Sequence, residues 1–236
     1  MTTFKRATEI KDTYRGGFIN QTGAYTGIFE SVYYHTSASG AEAIHFDFVA
    51  DDGAANSFDI YYWTPKDGGK KLDIGMCIIQ EQLMNLLRVN TLKESPGVVS
   101  VYDWSTQSDV DKNVTLLPGL TNKRIGIVYQ ETAYKRTKPR NGSMFGTNFQ
   151  PTFYFDAETS KTAKELLDKA PEAVALTKYL ENLSLIYVPK NIRNAYYAEI
   201  NGEDASIENK AETQQPTQTS ILDSDDDFDF DDLVPF

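Results

Sequence analysis

Two runs separated by a single turn constrain this chain more than any other feature. In the first, Ile44, Phe46 and Phe48 alternate with His45, Asp47 and Val49. In the second, Phe58, Ile60 and Tyr62 alternate with Asp59, Tyr61 and Trp63. A period of two places alternate side chains on opposite faces of a strand. The turn between them, Asp51-Asp52-Gly53, has the residues that initiate and tolerate tight reversals. Two neighbouring strands therefore offer Ile44, Phe46, Phe48, Phe58, Ile60 and Tyr62 to one core. Their opposite face carries His45, Asp47, Tyr61 and Trp63. Ala24 to Tyr34, rich in aromatic and β-branched residues, precedes them across the turn Ser37–Gly40. The three form an antiparallel meander, so the chain is predicted to be mainly β. At 236 residues and 40% hydrophobic, it has the apolar content for one substantial domain.

The remaining segments are read around that meander. Residues 1–22, with a bend at Gly16-Gly17, form an N-terminal arm, and the domain runs over residues 23–200. Pro65 to Lys71 is a loop. Ile78 to Val89 suits a helix, with Ile79, Leu83, Leu86 and Leu87 near helical spacing. Val98 to Trp104 reads as a strand and Ser105 to Thr121 as an inserted loop. A long strand follows over Lys123–Tyr134, then a basic loop over residues 135–149 and a strand over Thr152–Phe155. Thr159–Asp168 and Pro171–Leu183 read as a helical pair burying Leu166, Leu167, Val174, Leu180 and Leu183. Leu185–Val188 is a short last strand. After Asn201 the apolar pattern stops. Residues 201–222 read as a flexible linker and 223–236 as an acidic tail, too charged and too poor in apolar residues to build a core.

Of the last fourteen residues, seven are aspartate and none is basic. The run ends in Asp231-Asp232-Leu233-Val234-Pro235-Phe236, which puts an aromatic ring and the terminal carboxylate on one residue. This ending resembles the tail of bacterial and phage single-stranded DNA-binding proteins, where several aspartates precede an aliphatic residue, Pro and Phe. Leu233-Val234 before the proline, and Phe228 and Phe230 among the acids, depart from that pattern. The resemblance covers about the last ten residues. It implies coating of single-stranded DNA in replication, recombination or repair, with a phage as the source. It also implies that Asp231 to Phe236 recruit a polymerase, helicase, primase or recombinase. The helix after the third strand sits where an OB-type barrel carries its plug. The expected fold is therefore an OB-fold-like antiparallel β-barrel with a capping helix, an added helical pair and a disordered acidic tail.

The net charge of −11 is misleading unless it is divided. Residues 202–236 hold eleven acids against one base, a net of −10, and leave the body at −1. A body that close to neutrality can carry a local basic patch for a phosphate backbone. Lys135, Arg136, Lys138 and Arg140 put four bases into six residues, followed by Phe145 and Phe149. Single-strand binders combine cations for phosphates with rings that stack on unpaired bases. Tyr134 ends the preceding strand, and Lys123 and Arg124 open it and extend the track. The plainer alternative is a solvated surface loop with Phe145 or Phe149 packed into the core. A second candidate is the outer face of the meander, where Tyr33 or Tyr34, with Tyr61 and Trp63, forms a stacking platform beside Lys66, Lys70 and Lys71, unless a second layer covers it.

Other classes are poorly supplied. Two histidines, His35 and His45, and one cysteine, Cys77, do not furnish a disulfide, a zinc site or a histidine-based triad. Gly68-Gly69-Lys70-Lys71 lacks phosphate-loop spacing. Asp51-Asp52 and Asp109-Val110-Asp111 suit turn chemistry. The chain is expected to have no enzymatic activity and no cofactor. It has no signal-peptide pattern and no run of membrane-spanning length, so a cytoplasmic location is expected, in the host cell if the source is a phage. A homo-oligomer is compatible with the sequence. A protein-only adaptor, docking on replication proteins through the same tail without binding DNA, is the alternative function.

Overall fold

A computed structural model describes residues 17–103 and 106–201. The arm up to residue 16, Trp104-Ser105, all of the linker beyond Asn201 and the tail, including Asp231 to Phe236, lie outside the described residues.

The meander forms as its alternation dictates. β1 (Gly23–Thr36), β2 (Glu42–Ala50) and β3 (Ala55–Thr64) are antiparallel neighbours. Ile44, Phe46, Phe48, Phe58 and Ile60 are buried, and Phe46 stacks on Phe58 with ring centroids 5.2 Å apart. Phe29 of β1 completes this aromatic cluster at 4.9 Å from Phe46. Each such ring contributes roughly 2–3 kcal/mol relative to an exposed one. The short β4 (Lys70–Lys71) adds an edge beside β3.

The predicted helix begins earlier than its periodicity suggested. α1 (Asp73–Cys77) runs through a π-helical segment, Ile78–Leu83, into α2 (Met84–Leu86). Ile79, Leu83, Leu86 and Leu87 are buried against the sheet as expected. The helix approaches β3 so closely that a Cβ on Gly75 would lie 1.7 Å from the carbonyl oxygen of Tyr61. Glycine at that position is what lets α1 rest on strand backbone.

The inserted loop expected over Ser105–Thr121 contains a strand instead. β5 (Ser95–Asp103) and β6 (Ser108–Leu116) make an antiparallel ribbon, placing Asp109 and Asp111 on a strand and not in a turn. β7 (Arg124–Arg140) and β8 (Ser143–Phe155) make a second, longer ribbon, which replaces the expected basic loop. β9 (Ile186–Tyr187) lies parallel to β7 at Glu131 and Thr132.

The result is mainly β, a nine-stranded and largely antiparallel sheet among the described residues that stays open; the expected closed barrel is not formed. One edge of β1 pairs with β2 from Gly27 to Thr36, but its other edge is shared. Gly23 to Ile28 pair with β7, and Tyr33 pairs with Leu116 of β6. Between those halves a register shift separates Phe29 from Ser31. A bulge bends a strand and raises its twist, and here the sheet forks at it. Among the described residues β3 and β8 share no ladder; Asn56 Nδ2 donates to the carbonyl oxygen of Phe149 at 3.4 Å.

The helical pair is shorter than its sequence pattern. α3 (Ala163–Leu167) starts at a capping box in which Thr162 and Glu165 satisfy each other's backbone N–H groups. Glu165 also accepts from the N–H groups of Val174 and Ala175, tying α3 to the start of α4 (Ala175–Glu181). Leu176 is the residue the pair buries most deeply on the sheet, against Val128 and Phe155, with Tyr179 stacked on Phe153 at 4.6 Å. Leu167, Val174 and Leu180, expected in that buried face, are exposed because α4 meets the sheet through Leu176 and Tyr179 instead. α5 (Arg193–Asn201) closes the described chain.

The end of the arm is also docked. Ile19 is buried in the core; its N–H donates to Ala55 O and the Ala55 N–H donates to Gly17 O, while Thr22 donates to Leu185 O at 2.7 Å. No helix among the described residues is long and apolar enough to cross a membrane.

Candidate nucleic-acid interface

The β7–β8 ribbon is set by local chemistry. Its two-residue reversal is Asn141-Gly142, at φ 54° and 83°. Both values are positive, as the tight turn matching strand twist requires, and Asn-Gly is its preferred pair. Lys135 pairs with Phe145, and Arg140 with Ser143. Between them Arg136 to Pro139 bulge opposite Met144, because Pro139 has no N–H to give a ladder.

The basic side chains divide into two kinds. Lys135, Lys138 and Arg140 are exposed along the ribbon. Arg136 is half-buried and committed to the ribbon. Its Nη1 donates to the carbonyl oxygen of Phe145, and its guanidinium lies 5.9 Å from the ring centroid of Tyr134. That pair crosses Gly146, where a Cβ would come 2.7 Å from Arg136 Nη2 and 2.8 Å from the Tyr134 ring. The glycine makes room for the cation–π pair, a local reason for its presence that does not require a mobile loop.

The two phenylalanines take the plainer reading. Phe145 is buried against Ala133, Val188 and Tyr196, with Tyr196 edge-on at 5.5 Å. Phe149 packs half-buried against the main core. α5 completes this corner, since Glu199 accepts from Ser143 Oγ and from Met144 N at 3.1 Å. A crevice of about 260 Å³ lies there, lined by Arg136, Phe145, Thr147, Tyr196, Glu199 and Ile200. The extension of the track is similarly engaged. Arg124 forms a two-pronged ion pair with Asp51 at 2.6 and 2.9 Å, and Lys123 Nζ donates to Leu87 O at 2.7 Å. Hydrogen bonds from Arg124 hold the Asp51 carboxyl below its usual range.

The outer face of the meander is a polar cluster more than a stacking platform. Tyr33 is buried and lies over His45 at 4.7 Å. His45 bridges two strands, with Nδ1 2.8 Å from Asp59 Oδ1 and Nε2 3.2 Å from Asp47 Oδ1. Asp47 also accepts from Ser31 and, at 2.6 Å, from Ser57. Burial alone would push the imidazole down; the hydrogen bonds and charges of Asp47 and Asp59 outweigh it and raise it to about 9. Burial would raise Asp47, but hydrogen bonds from His45, Ser31 and Ser57 lower it to about 2. Tyr61 is half-buried, with its hydroxyl pushed up to about 12 by burial and by Asp59. The helical pair covers β7 and β8 and not this face.

Trp63 and its lysines form a separate group. Trp63 pairs with Lys71, Thr64 with Lys70, and the Trp63 ring lies against Gly69, with Lys66, Lys70 and Lys71 exposed around the turn. The register places this group far from the ribbon. Trp63 pairs with Glu42, which pairs with Thr36 at the C-terminal end of β1. β7 pairs with β1 up to Gly23 and then runs on beyond the N-terminal end. The two basic groups are thus at opposite ends of a 14-residue strand, up to roughly 45 Å apart. Lys135, Lys138, Arg140 and Tyr134 are brought together, as are Trp63, Lys66, Lys70 and Lys71, but the two sets do not share one groove.

No protein-family model matches the chain, and no curated protein matches its sequence significantly.

Proposed function

We propose that this protein binds single-stranded DNA without sequence preference, and that its acidic C-terminal tail recruits replication, recombination or repair proteins. The observation that carries the reading is the β7–β8 ribbon. Three exposed cations, Lys135, Lys138 and Arg140, line a projecting two-stranded element whose stem bears the half-buried Tyr134 under Arg136. Cations on a raised ribbon reach phosphates without reading bases, which is the chemistry of non-specific strand binding. The terminal Leu233-Val234-Pro235-Phe236 after its aspartates supports the same reading. The antiparallel order β3-β2-β1-β7-β8, with a helix that follows β3, supports reading the open sheet as a variant of the OB layout. A phage source, action in the cytoplasm of its host and the absence of catalysis belong to this proposal.

Two features favour a second reading. Phe145 and Tyr33 are buried, and Asp47 and Asp59 lie on the meander's outer face. A protein-only adaptor needs neither exposed stacking rings nor a neutral face. Fluorescence anisotropy with labelled oligo-dT at low salt separates the two, using the full chain and a chain ending at Asn201. Binding by both supports the strand-binding function. No binding by the chain ending at Asn201 ends it and leaves the adaptor.

A further inference from the structure

We propose that the protein self-associates through the outer edge of β5, two copies pairing antiparallel about a two-fold axis at Ser100. The edges of the sheet differ in how they are guarded. β4 is two residues long and consists of Lys70 and Lys71, a short charged edge of the kind that blocks further pairing. The outer side of β8 is interrupted by Pro151 and takes the side chain of Asn56 on Phe149 O. β5 has neither protection along Val98-Val99-Ser100-Val101-Tyr102, a run without charge, proline or glycine. Among the described residues, β5 pairs only with β6.

The ribbon itself is thinly supported. Its ladder to the body is the single pair Tyr33 with Leu116, and Val98, Val101 and Val110 remain 58%, 36% and 42% exposed. A lone two-stranded hairpin is marginal in water, whereas three or more strands with an apolar face are stable. Pairing β5 with β5 of a second copy turns two such hairpins into one four-stranded sheet. That is why a second copy is the occupant, and not an unrelated peptide.

Register and charge agree with this. With Ser100 opposite Ser100, Val99 faces Val101 of the second copy and Val98 faces its Tyr102. Branched and aromatic pairs of this kind stabilise antiparallel ladders. Val101 pairs with Val110, and Val99 with Lys112, inside each copy, so the valine-bearing face continues across the join. The acids Asp109 and Asp111 stand on β6, one strand removed in each copy. Three strand spacings, roughly 14 Å, separate the two acidic strands, more than the screening length of about 10 Å at 0.1 M salt.

The test uses the full chain. Sedimentation equilibrium is expected to show a species of twice the 26.5 kDa chain mass, and V99K/V101K is expected to return it to the single-chain mass. Those side chains stand on the ribbon and outside the main core, so circular dichroism should still show a folded body. In a C77S background, Ser100→Cys is expected to form an intermolecular disulfide on mild oxidation. A single-chain mass at every concentration overturns the proposal. So does a dimer that V99K/V101K leaves intact, or one that Ser100→Cys fails to lock.

Discussion

His45 shows how much a single position can carry. Its alternation with Ile44 and Phe46 places it on the solvent side of β2, and the structure finds it there, yet only one fifth exposed and held by two carboxylates. Its folded-state value, about 9, lies above the ordinary 6.5. A group raised on folding contributes stability that is whole below its unfolded value and lost as pH rises through the folded one. Asp47, lowered to about 2 from 3.8, behaves inversely, its contribution lost as pH falls through about 2. Urea unfolding should therefore be most resistant between about pH 4 and 6.5 and weaken steadily toward pH 9. His45→Gln should be less stable in that window and flat from pH 6.5 to 9. A wild-type midpoint that does not move over that interval would show that the Asp47–His45–Asp59 bridge is not formed in solution. The sequence placed Asp47 on the same face of the strand as His45, but not the second partner: Asp59 lies fourteen residues away, and only the pairing of His45 with Asp59 across β2 and β3 brings it in.

At the scale of elements, what the sequence revealed followed burial. Strands with one fully apolar face, β2 and β3, were read with their core-facing residues, and the helix was read through Ile79, Leu83, Leu86 and Leu87. The elements missed are those whose faces are mixed. In β6, Val110, Val114 and Leu116 alternate with Asp109, Asp111, Asn113 and Thr115, but Lys112 breaks the apolar side. In α5, Tyr196 alone is buried among the described side chains, too little for a periodic signal. The basic ribbon did carry a signal, Asn141-Gly142, which four cations and Pro139 obscured. Its wiring makes two substitutions behave differently. Lys138 and Arg140 are exposed, so K138E/R140E should fold normally and weaken oligo-dT binding. The slope of log affinity against log salt should fall by about 1.4, since each single-strand phosphate contact contributes about 0.7. Arg136→Ala removes the donor to Phe145 O and the partner of Tyr134. It should cost about 2 kcal/mol of stability and lower the melting temperature, whatever it does to binding. An unchanged salt slope in K138E/R140E would remove the ribbon from the proposed interface.

For the whole molecule, the placement of α5 links the two ends of the charge distribution. Glu199 grips Ser143 and Met144 beside the ribbon turn, so the last described helix ends on the ribbon that carries Lys135, Lys138 and Arg140. The residues that follow carry a net charge of −10. A covalently attached segment competes at an effective concentration set by its tether, so a weak electrostatic affinity for the ribbon suffices. Removing residues 202–236 should therefore tighten oligo-dT binding at low salt. The gain should shrink as salt rises, because the screening length falls from about 10 Å at 0.1 M to about 3 Å at 1 M. Deleting Phe236 alone separates this from recruitment. It leaves the aspartates in place, so strand affinity should match the full chain, while capture of a partner that recognises a terminal ring and carboxylate should be lost. If removal of the whole segment leaves low-salt affinity unchanged, the tail does not compete for the ribbon. If deleting Phe236 shifts strand affinity as much as removing the segment does, the charge is not what competes. Only tighter binding on segment removal, coupled to unchanged binding on Phe236 deletion, assigns the aspartates to the ribbon and the terminal residue to the partner.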